Sequence, residues 1–325
     1  MKPYIVSADI KLLLAAWAAK NPEAIKLPGD DFFQGLRADF SACLRRIFPR
    51  FELIGETELV SGVKELVEKW ICPPAALSAV PTVALDRVYY PVPDFSINLT
   101  RTMGDRQSEI QLRPRQSFSD LDLQIGAIAR GIDDLWPERK VVLIDDVIFA
   151  GEQIELVTKA LAAKNIKVVA VVAGIGIDEG RHRIQALGHY PVNCVRYYSE
   201  VIDQICERDF YPGVPFSGRT VAAGPDRNIG MPYLRPFGDP RRWASIGEEH
   251  DFSRFCLRQA IKLWQEIERL SGRQLLAKDL PREVAGFDPA RRFVSQLKAA
   301  LDQLDKLSEM FEAVRRNMDR MEQEE

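Results

Sequence analysis

A continuous apolar run that ends in two acidic residues constrains this chain more than any other feature. The run is Val141-Val142-Leu143-Ile144, and Asp145 and Asp146 follow it directly. β-Branched residues without polar alternation are typical of a strand that is buried on both faces of a parallel sheet. Helical spacing from Glu152 to Lys164 and a second apolar run at 168–175 then predict strand, helix, strand. The sequence therefore predicts an α/β fold with a parallel sheet.

The residues that follow this strand have the chemistry of a binding site. Carboxylates at the carboxyl end of a buried strand need partners, and that edge of an open α/β sheet is where ligands bind. Sugar hydroxyls or a hydrated metal ion would suit Asp145 and Asp146. The chain then turns through Gly151 into a helix, whose first amides and dipole favour an anion. We expect a site shaped for a ribose 5-phosphate.

The segment from Lys140 to Ala163 resembles the phosphoribosyl pyrophosphate site of type I phosphoribosyltransferases. In that family, an apolar strand precedes two acidic residues, several apolar or small residues, and a turn rich in threonine and glycine. The resemblance implies a parallel-sheet type I phosphoribosyltransferase-like core, in which Asp145 and Asp146 bind the ribose hydroxyls, either directly or through Mg2+ and its water. The residues that it assigns to the 5-phosphate are Phe149, Ala150, Gly151, Glu152 and Gln153.

This chain departs from the family pattern at two places. The family has hydroxyl residues in the turn, whereas this chain has Phe149, Ala150 and Gln153 there. The family also has a short glycine-containing pyrophosphate loop after the first sheet strand, but here Val92 is followed by Pro93-Asp94-Phe95. These departures leave Gly151 and the backbone amides as the phosphate ligands that match.

Two further groups of residues have weaker functional interpretations. The stretch from Arg101 to Asp120 is polar, basic and without apolar period, which predicts a long loop. The family has a mobile loop over the pyrophosphate at this place, so the resemblance implies that Arg101 and Arg106 stabilise the leaving group; a solvated loop is the alternative. Phe210 and Tyr211 follow the last sheet strand, where relatives hold a base or cap the site, but a proline-braced hydrophobic corner is the favoured interpretation of these residues.

The apolar patterns divide the chain into three segments. Residues 1–75 form a mostly helical extension, and Cys72-Pro73-Pro74 ends its last helix. Residues 76–230 contain the α/β core, which begins with predicted strands at 83–92 and 96–100. Residues 231–325 form a loop and helical region. Its final helix, from about Pro289, is amphipathic, which predicts either docking on its own domain or a homodimer or partner interface.

Composition excludes several classes of protein. The 44 basic and 47 acidic residues give a net charge of −3, so no general attraction to nucleic acid or anionic membranes is expected. No stretch of 18 or more uncharged apolar residues occurs. Five scattered cysteines lack a C-x-x-C pair, and three separated histidines do not form a histidine-rich metal site. We expect a cytoplasmic protein with reduced thiols and no membrane partner.

Three functions from different classes are compatible with these residues. The resemblance implies a Mg2+-dependent transferase of nucleotide metabolism, in which a nitrogen acceptor displaces pyrophosphate from phosphoribosyl pyrophosphate. A non-catalytic sensor of phosphoribosyl pyrophosphate or a nucleotide, acting on a protein partner, is the alternative that the altered turn and the helical extensions favour. A phosphate receiver or metal-dependent phosphatase is disfavoured, because no Asp-x-Asp nucleophile or suitably placed lysine accompanies the acidic pair.

Overall fold

The computed structural model describes residues 1–71, 79–103, 109–188, 190–221 and 229–324. The helices are α1 (Ile10–Ala18), α2 (Asp30–Ile47), α3 (Glu56–Ile71), α4 (Leu121–Leu135), α5 (Glu152–Ala162), α6 (Asp178–Gly188), α7 (Pro240–Ala244), α8 (Glu249–Ser271) and α9 (Phe293–Glu324). The strands are β1 (Tyr4–Ser7), β2 (Phe51–Ile54), β3 (Thr82–Ala84), β4 (Phe95–Ser96), β5 (Leu99–Met103), β6 (Glu109–Pro114), β7 (Lys140–Ile148), β8 (Lys167–Ile177), β9 (Val192–Tyr198), β10 (Asp203–Cys206), β11 (Arg219–Val221), β12 (Ile229–Met231) and β13 (Glu283–Val284). The protein is α/β. Within the described ranges, no helix is both long enough and apolar enough to cross a membrane.

The described chain forms two compact units. The first contains Met1–Asp9 and Glu52–Gln204, and the second contains Ile10–Phe51, Ile205–Val221 and residues 229–324. Each unit therefore combines segments that are distant in sequence. The predicted division into residues 1–75, 76–230 and 231–325 uses consecutive segments only. The domain boundary expected near residue 75 lies outside the described residues, and the three-segment division remains a prediction.

A parallel sheet forms the centre of the first unit. Its strand order is β4-β3-β7-β8-β9, and every neighbouring pair is parallel. The apolar run at 141–144 lies in β7 and is fully buried, as its β-branched composition predicts. Because β7, α5 and β8 follow one another and β7 pairs with β8, the predicted strand, helix, strand order is confirmed.

Helices cover this sheet. Apolar residues of α4, α5 and α6 form one buried cluster with the sheet, including Ile128, Val157 and Ile184. Helix α3 packs against β8 and β9 through residues outside that cluster. Because neighbouring strands are parallel, their carboxyl ends meet at one edge of the sheet, which is where the acidic pair lies.

One loop prediction and one strand prediction in the first unit were wrong. The stretch from Arg101 to Asp120 is not one long loop, because β5 and β6 pair as an antiparallel hairpin. A register shift between Thr102 and Met103 interrupts the alternation of side chains between the two faces. The sequence therefore lacks the regular apolar and polar alternation by which a strand is recognised. The strand expected at 83–92 ends at Ala84; Leu85, Val88 and Tyr89 are buried without being part of a strand, whereas Val92 is exposed.

The second unit is held by a large aromatic core. Phe210 lies 5.7 Å from Phe40 and 5.0 Å from Phe252, measured between ring centroids. Tyr211 is also fully buried, and the indole of Trp264 donates a hydrogen bond to the Pro212 carbonyl at 2.8 Å. Phe210 and Tyr211 are thus core residues, so their assignment to a substrate base was wrong and the hydrophobic-corner interpretation fits their burial.

The first half of the C-terminal helix docks within its own unit. Helix α9 packs against α8, with Phe293, Leu297 and Leu304 buried. Asp305 forms an ion pair with Arg254 at 2.6 Å, which fixes the antiparallel pairing of the two helices. Docking on its own domain, one of the two interpretations of the amphipathic pattern, therefore accounts for the segment up to Leu304. A homodimer or partner interface through the rest of α9 remains a prediction.

A buried ion pair in the second unit gives a test of this packing. The Glu207 side chain is 0% exposed and accepts from Arg37 Nε at 3.0 Å and Nη2 at 3.0 Å. Replacing Arg37 with Met should lower the free energy of unfolding by about 3 kcal/mol, because an uncompensated carboxylate stays buried. Urea unfolding measures this, with Arg45→Met on the exposed face of α2 as the control. Equal stability of the two variants would contradict the expectation.

Candidate ligand-binding site

The acidic pair lies at the carboxyl end of β7, inside the strand. On one side β8 continues past it, and Asp145 is opposite Ala173. On the other side the pairing of β3 ends at Ala84, opposite Ile144. Asp145 therefore begins the part of β7 that extends beyond its neighbour β3, which opens this edge of the sheet to a ligand.

The Asp145 carboxyl group is buried, and few neighbouring groups stabilise its negative charge. It is only 8% exposed, and its Oδ1 accepts from the Asp146 amide at 3.0 Å. Burial, followed by the carboxylates of Asp146 and Asp86, raises the pKa of Asp145 well above its ordinary value. Among the residues that the structure describes, no lysine, arginine or histidine forms an ion pair with Asp145. A ligand hydroxyl or a cation would therefore improve the environment of this group.

A third carboxylate, Asp86, completes the acidic edge. It follows β3 by two residues, and the Leu85 amide donates to the Ile144 carbonyl at 2.7 Å, which holds this segment against β7. Asp86 Oδ2 pairs with Arg115 Nη2 at 3.2 Å. Asp86 was not predicted from the sequence, although a carboxylate just after an apolar strand is the signal that identified Asp145.

The turn after β7 requires glycine at Gly151, and α6 requires glycine at Gly180, where it contacts the turn. Gly151 has φ of 76° and precedes the first residue of α5. A Cβ at Gly151 would lie 2.9 Å from the Gly180 carbonyl oxygen, and a Cβ at Gly180 would lie 2.3 Å from the Phe149 carbonyl oxygen. The turn and the first helical turn of α6 are therefore in direct backbone contact, which fixes where the first amides of α5 point.

Charged side chains surround the start of α5. Glu152 is the first residue of the helix and is exposed. Arg183 Nη1 donates to the Ala150 carbonyl at 2.9 Å and lies 3.5 Å from Glu152 Oε1. Arg101 Nη2 lies 4.0 Å from Glu152 Oε2. An acidic residue and two arginines thus share the place where the helix dipole favours an anion.

The structure brings together part of the predicted site. Asp145, Asp146, the turn at 149–153 and Arg101 lie at one edge of the first unit. Arg106 lies outside the described residues. Besides Asp86, two residues near this edge escaped sequence reasoning, namely Gly180 and Arg183. Nothing in their local sequence marks them, because each reaches the site through the pairing of distant segments.

The donor set limits how a metal ion would be held. In the described part of the chain, no three His, Cys, Asp or Glu side chains are arranged to bind a metal ion. Mg2+ keeps several waters and commonly uses one or two carboxylates together with substrate phosphates. Asp145 and Asp146 fit that pattern, with the remaining ligands supplied by water and the bound molecule.

Comparisons with known proteins find similar solved structures, one of which is described here. The chain is similar to the crystal structure of adenine phosphoribosyltransferase from Rhodothermus marinus, with 14% sequence identity and a TM-score of 0.24. The match covers 42% of this chain and 79% of that one. No protein-family model and no curated protein matches the chain. The geometry of the strand, turn and helix therefore carries the functional assignment.

Proposed function

We propose that this protein binds the phosphoribosyl group of phosphoribosyl pyrophosphate or a nucleotide at the carboxyl edge of its parallel sheet. The observation that carries the proposal is the juxtaposition of the confined Asp145 carboxyl with the glycine turn that leads into α5. The first supplies an acceptor for sugar hydroxyls, and the second supplies amides for a phosphate. One ligand that carries both groups is a ribose 5-phosphate.

Each group has a defined role in this proposal. Asp145 and Asp146 accept hydrogen bonds from the two ribose hydroxyls. The amides from Ala150 to Gln153 donate to the 5-phosphate, at the positive end of the α5 dipole. Gly151 is required because no side chain fits between the turn and Gly180. Arg183 and Arg101 neutralise charge at the same place, in balance with Glu152.

Transfer of the phosphoribosyl group is one activity that such binding would serve. A nitrogen acceptor would form a bond to the anomeric carbon while the bond to the pyrophosphate oxygen breaks, and pyrophosphate leaves with the bonding electrons. Bound Mg2+ would neutralise charge on the departing group. The chain itself contributes positioning of the ribose by Asp145 and Asp146 and positive charge from Arg101.

A non-catalytic sensor is the second candidate, and the turn favours it. Ala150 presents a methyl group where a hydroxyl would add a phosphate ligand, and Glu152 places a carboxylate beside the anion position. Both reduce the binding of a highly charged donor. A sensor changes its contact with a partner when a nucleotide binds. Such a protein has to bind the nucleotide but does not have to convert it.

Calorimetric titration followed by a turnover assay separates these functions. The protein is titrated with phosphoribosyl pyrophosphate and, separately, with ribose 5-phosphate in the presence of Mg2+. Pyrophosphate release is then measured with purine, pyrimidine and amine acceptors. We expect saturable binding of at least one ligand; release would establish a transferase, and binding without release would establish a sensor. No heat with either ligand would contradict the proposed function.

A further inference from the structure

Glu152 pairs with two arginines that come from different parts of the first unit. Its Oε2 lies 4.0 Å from Arg101 Nη2, and its Oε1 lies 3.5 Å from Arg183 Nη1. Arg101 belongs to β5 in the antiparallel hairpin, and Arg183 belongs to α6. One carboxylate therefore bridges the hairpin and α6 at the first residue of α5.

This carboxylate lies where the start of the helix attracts negative charge. The first amides of α5 and the positive end of its dipole favour an anion, and an acidic side chain in the first helical turn satisfies that preference. Glu152 is the first residue of α5, so it supplies such a charge. A ligand phosphate at the same helix start would be a second anion of higher charge. The carboxylate and the phosphate would then compete for the same positive groups.

Other charged side chains near this point also take part in the balance of charge. Arg183 Nε lies 3.5 Å from Glu155 Oε2, and Glu155 Oε1 is paired with Lys159 Nζ at 2.6 Å. Around the start of α5, three basic side chains thus face two carboxylates, those of Glu152 and Glu155. Because Glu155 has Lys159 as a second partner, Glu152 is the carboxylate whose pairing involves only the two arginines of the bridge.

The ion pairs of Glu152 are weak enough to be exchanged for pairs with a phosphate. The side chains of Glu152, Arg101 and Arg183 are 60%, 51% and 41% exposed, and ion pairs between exposed groups contribute little. Arg183 remains beside the turn during such an exchange, because its Nη1 also donates to the Ala150 carbonyl at 2.9 Å. Arginine binds phosphate through short, charge-assisted hydrogen bonds. A phosphate can therefore replace the carboxylate as the bridge between the two arginines.

We infer that Glu152 is an internal competitor for the ligand phosphate: its carboxylate engages Arg101 and Arg183 in the free protein, and the phosphate displaces it. This inference rests on the proposed function, because it takes the 5-phosphate to bind the first amides of α5. It adds a means of regulating the same site, since binding exchanges one anion for another. Glu152 consequently keeps the affinity for phosphate below the value that the arginines and the helix start would otherwise give.

Calorimetry with ribose 5-phosphate at one fixed Mg2+ concentration tests the inference on the natural chain and on Glu152→Gln. Glutamine keeps the size of the side chain and removes its charge, so no carboxylate at position 152 competes for the arginines. We expect the variant to bind about threefold to tenfold more tightly. Glu65→Gln is the matched control, because Glu65 is an exposed glutamate of α3 that pairs with Lys69 at 3.9 Å. Its replacement should leave the affinity unchanged.

A second background distinguishes competition for the arginines from a general effect of charge. Glu152→Gln is repeated in a chain that carries Arg101→Met, which removes one of the two contested arginines. The gain in affinity should be at least about twofold smaller there, whereas direct repulsion between Glu152 and the phosphate does not depend on Arg101. Each replaced side chain is more than half exposed, so every variant should fold, and thermal unfolding checks this.

The outcomes separate failure of this inference from failure of the proposed function. Unchanged or weaker binding by Glu152→Gln would overturn the inference and leave the proposed function standing. An equal gain in Glu65→Gln, or an undiminished gain beside Arg101→Met, would overturn it in the same way. No binding of ribose 5-phosphate by either the natural chain or Glu152→Gln would overturn the proposed function itself.

Discussion

The double variant Asp145→Asn with Asp146→Asn should lose binding of ribose 5-phosphate by on the order of a hundredfold while keeping its fold. Hydrogen bonds from ligand hydroxyls to charged acceptors contribute roughly 1.5–3 kcal/mol each, and two of them are weakened. Calorimetry measures the loss of affinity, and thermal unfolding measures the stability of the variant.

The stability expectation follows from the direction of the pKa shift. Because the pKa of Asp145 is higher in the folded chain than in the unfolded chain, the folded state binds more protons between those two values. Stability therefore falls as pH rises through that range, because ionisation of the buried carboxyl opposes folding. Removing it should leave Tm unchanged or higher.

A matched control shows whether the loss of affinity depends on where the two charges lie or only on their removal. Asp122→Asn with Asp134→Asn removes the same two charges from exposed positions on α4, within the same unit. This variant should bind ribose 5-phosphate as the natural chain does. Unchanged affinity in the Asp145 and Asp146 variant, or a loss of affinity that accompanies a fall in Tm, would contradict the roles assigned to the pair.

Gly180→Ala should destabilise the protein by about 2–3 kcal/mol and weaken ligand binding as well. The added Cβ would lie 2.3 Å from the Phe149 carbonyl oxygen and 2.9 Å from Ile148 Cγ2. Because the nearest atom belongs to the backbone, the turn or α6 must move, and overpacking of this kind typically costs about 1–3 kcal/mol. Such a movement would also displace the first amides of α5. Urea unfolding measures the stability and calorimetry the affinity.

Gly126, a helical glycine with space for a methyl group, provides the control for this variant. Gly126 lies within α4, and a methyl group added there would have Arg130 Nη1, at 3.7 Å, as its nearest heavy atom. Gly126→Ala should stabilise the protein by up to about 1 kcal/mol, because alanine is the better helix former. If Gly180→Ala were as stable as Gly126→Ala, the close backbone contact between the turn and α6 would be wrong.

The centre of the fold was predictable because its signals are local. The apolar run at 141–144, the helical spacing after Gly151 and the second apolar run each lie within one element, and β7, α5 and β8 follow them. The acidic pair and the glycine turn belong to the same continuous stretch. For these residues, burial and backbone conformation follow directly from side-chain type.

The rest of the site depends on contacts that no local pattern records. Asp86 meets Asp145 only because β3 pairs with β7, and Arg115 reaches Asp86 from the far end of a hairpin that a register shift conceals. Gly180 matters through the turn that it touches, which lies well before it in the chain. Phe210 and Tyr211 were assigned to a ligand because aromatic residues pack in cores and bind bases with the same chemistry.

Hydrogen exchange at the start of α5 tests the central claim most directly. The natural chain is exchanged with and without ribose 5-phosphate, and peptides covering 145–155 are compared with peptides from α8 and α9. If the phosphate binds the amides from Ala150 to Gln153, protection on adding ligand should be concentrated in the 145–155 peptides. Ligand binding that leaves these peptides unprotected, or that protects only residues elsewhere, would contradict the proposed site.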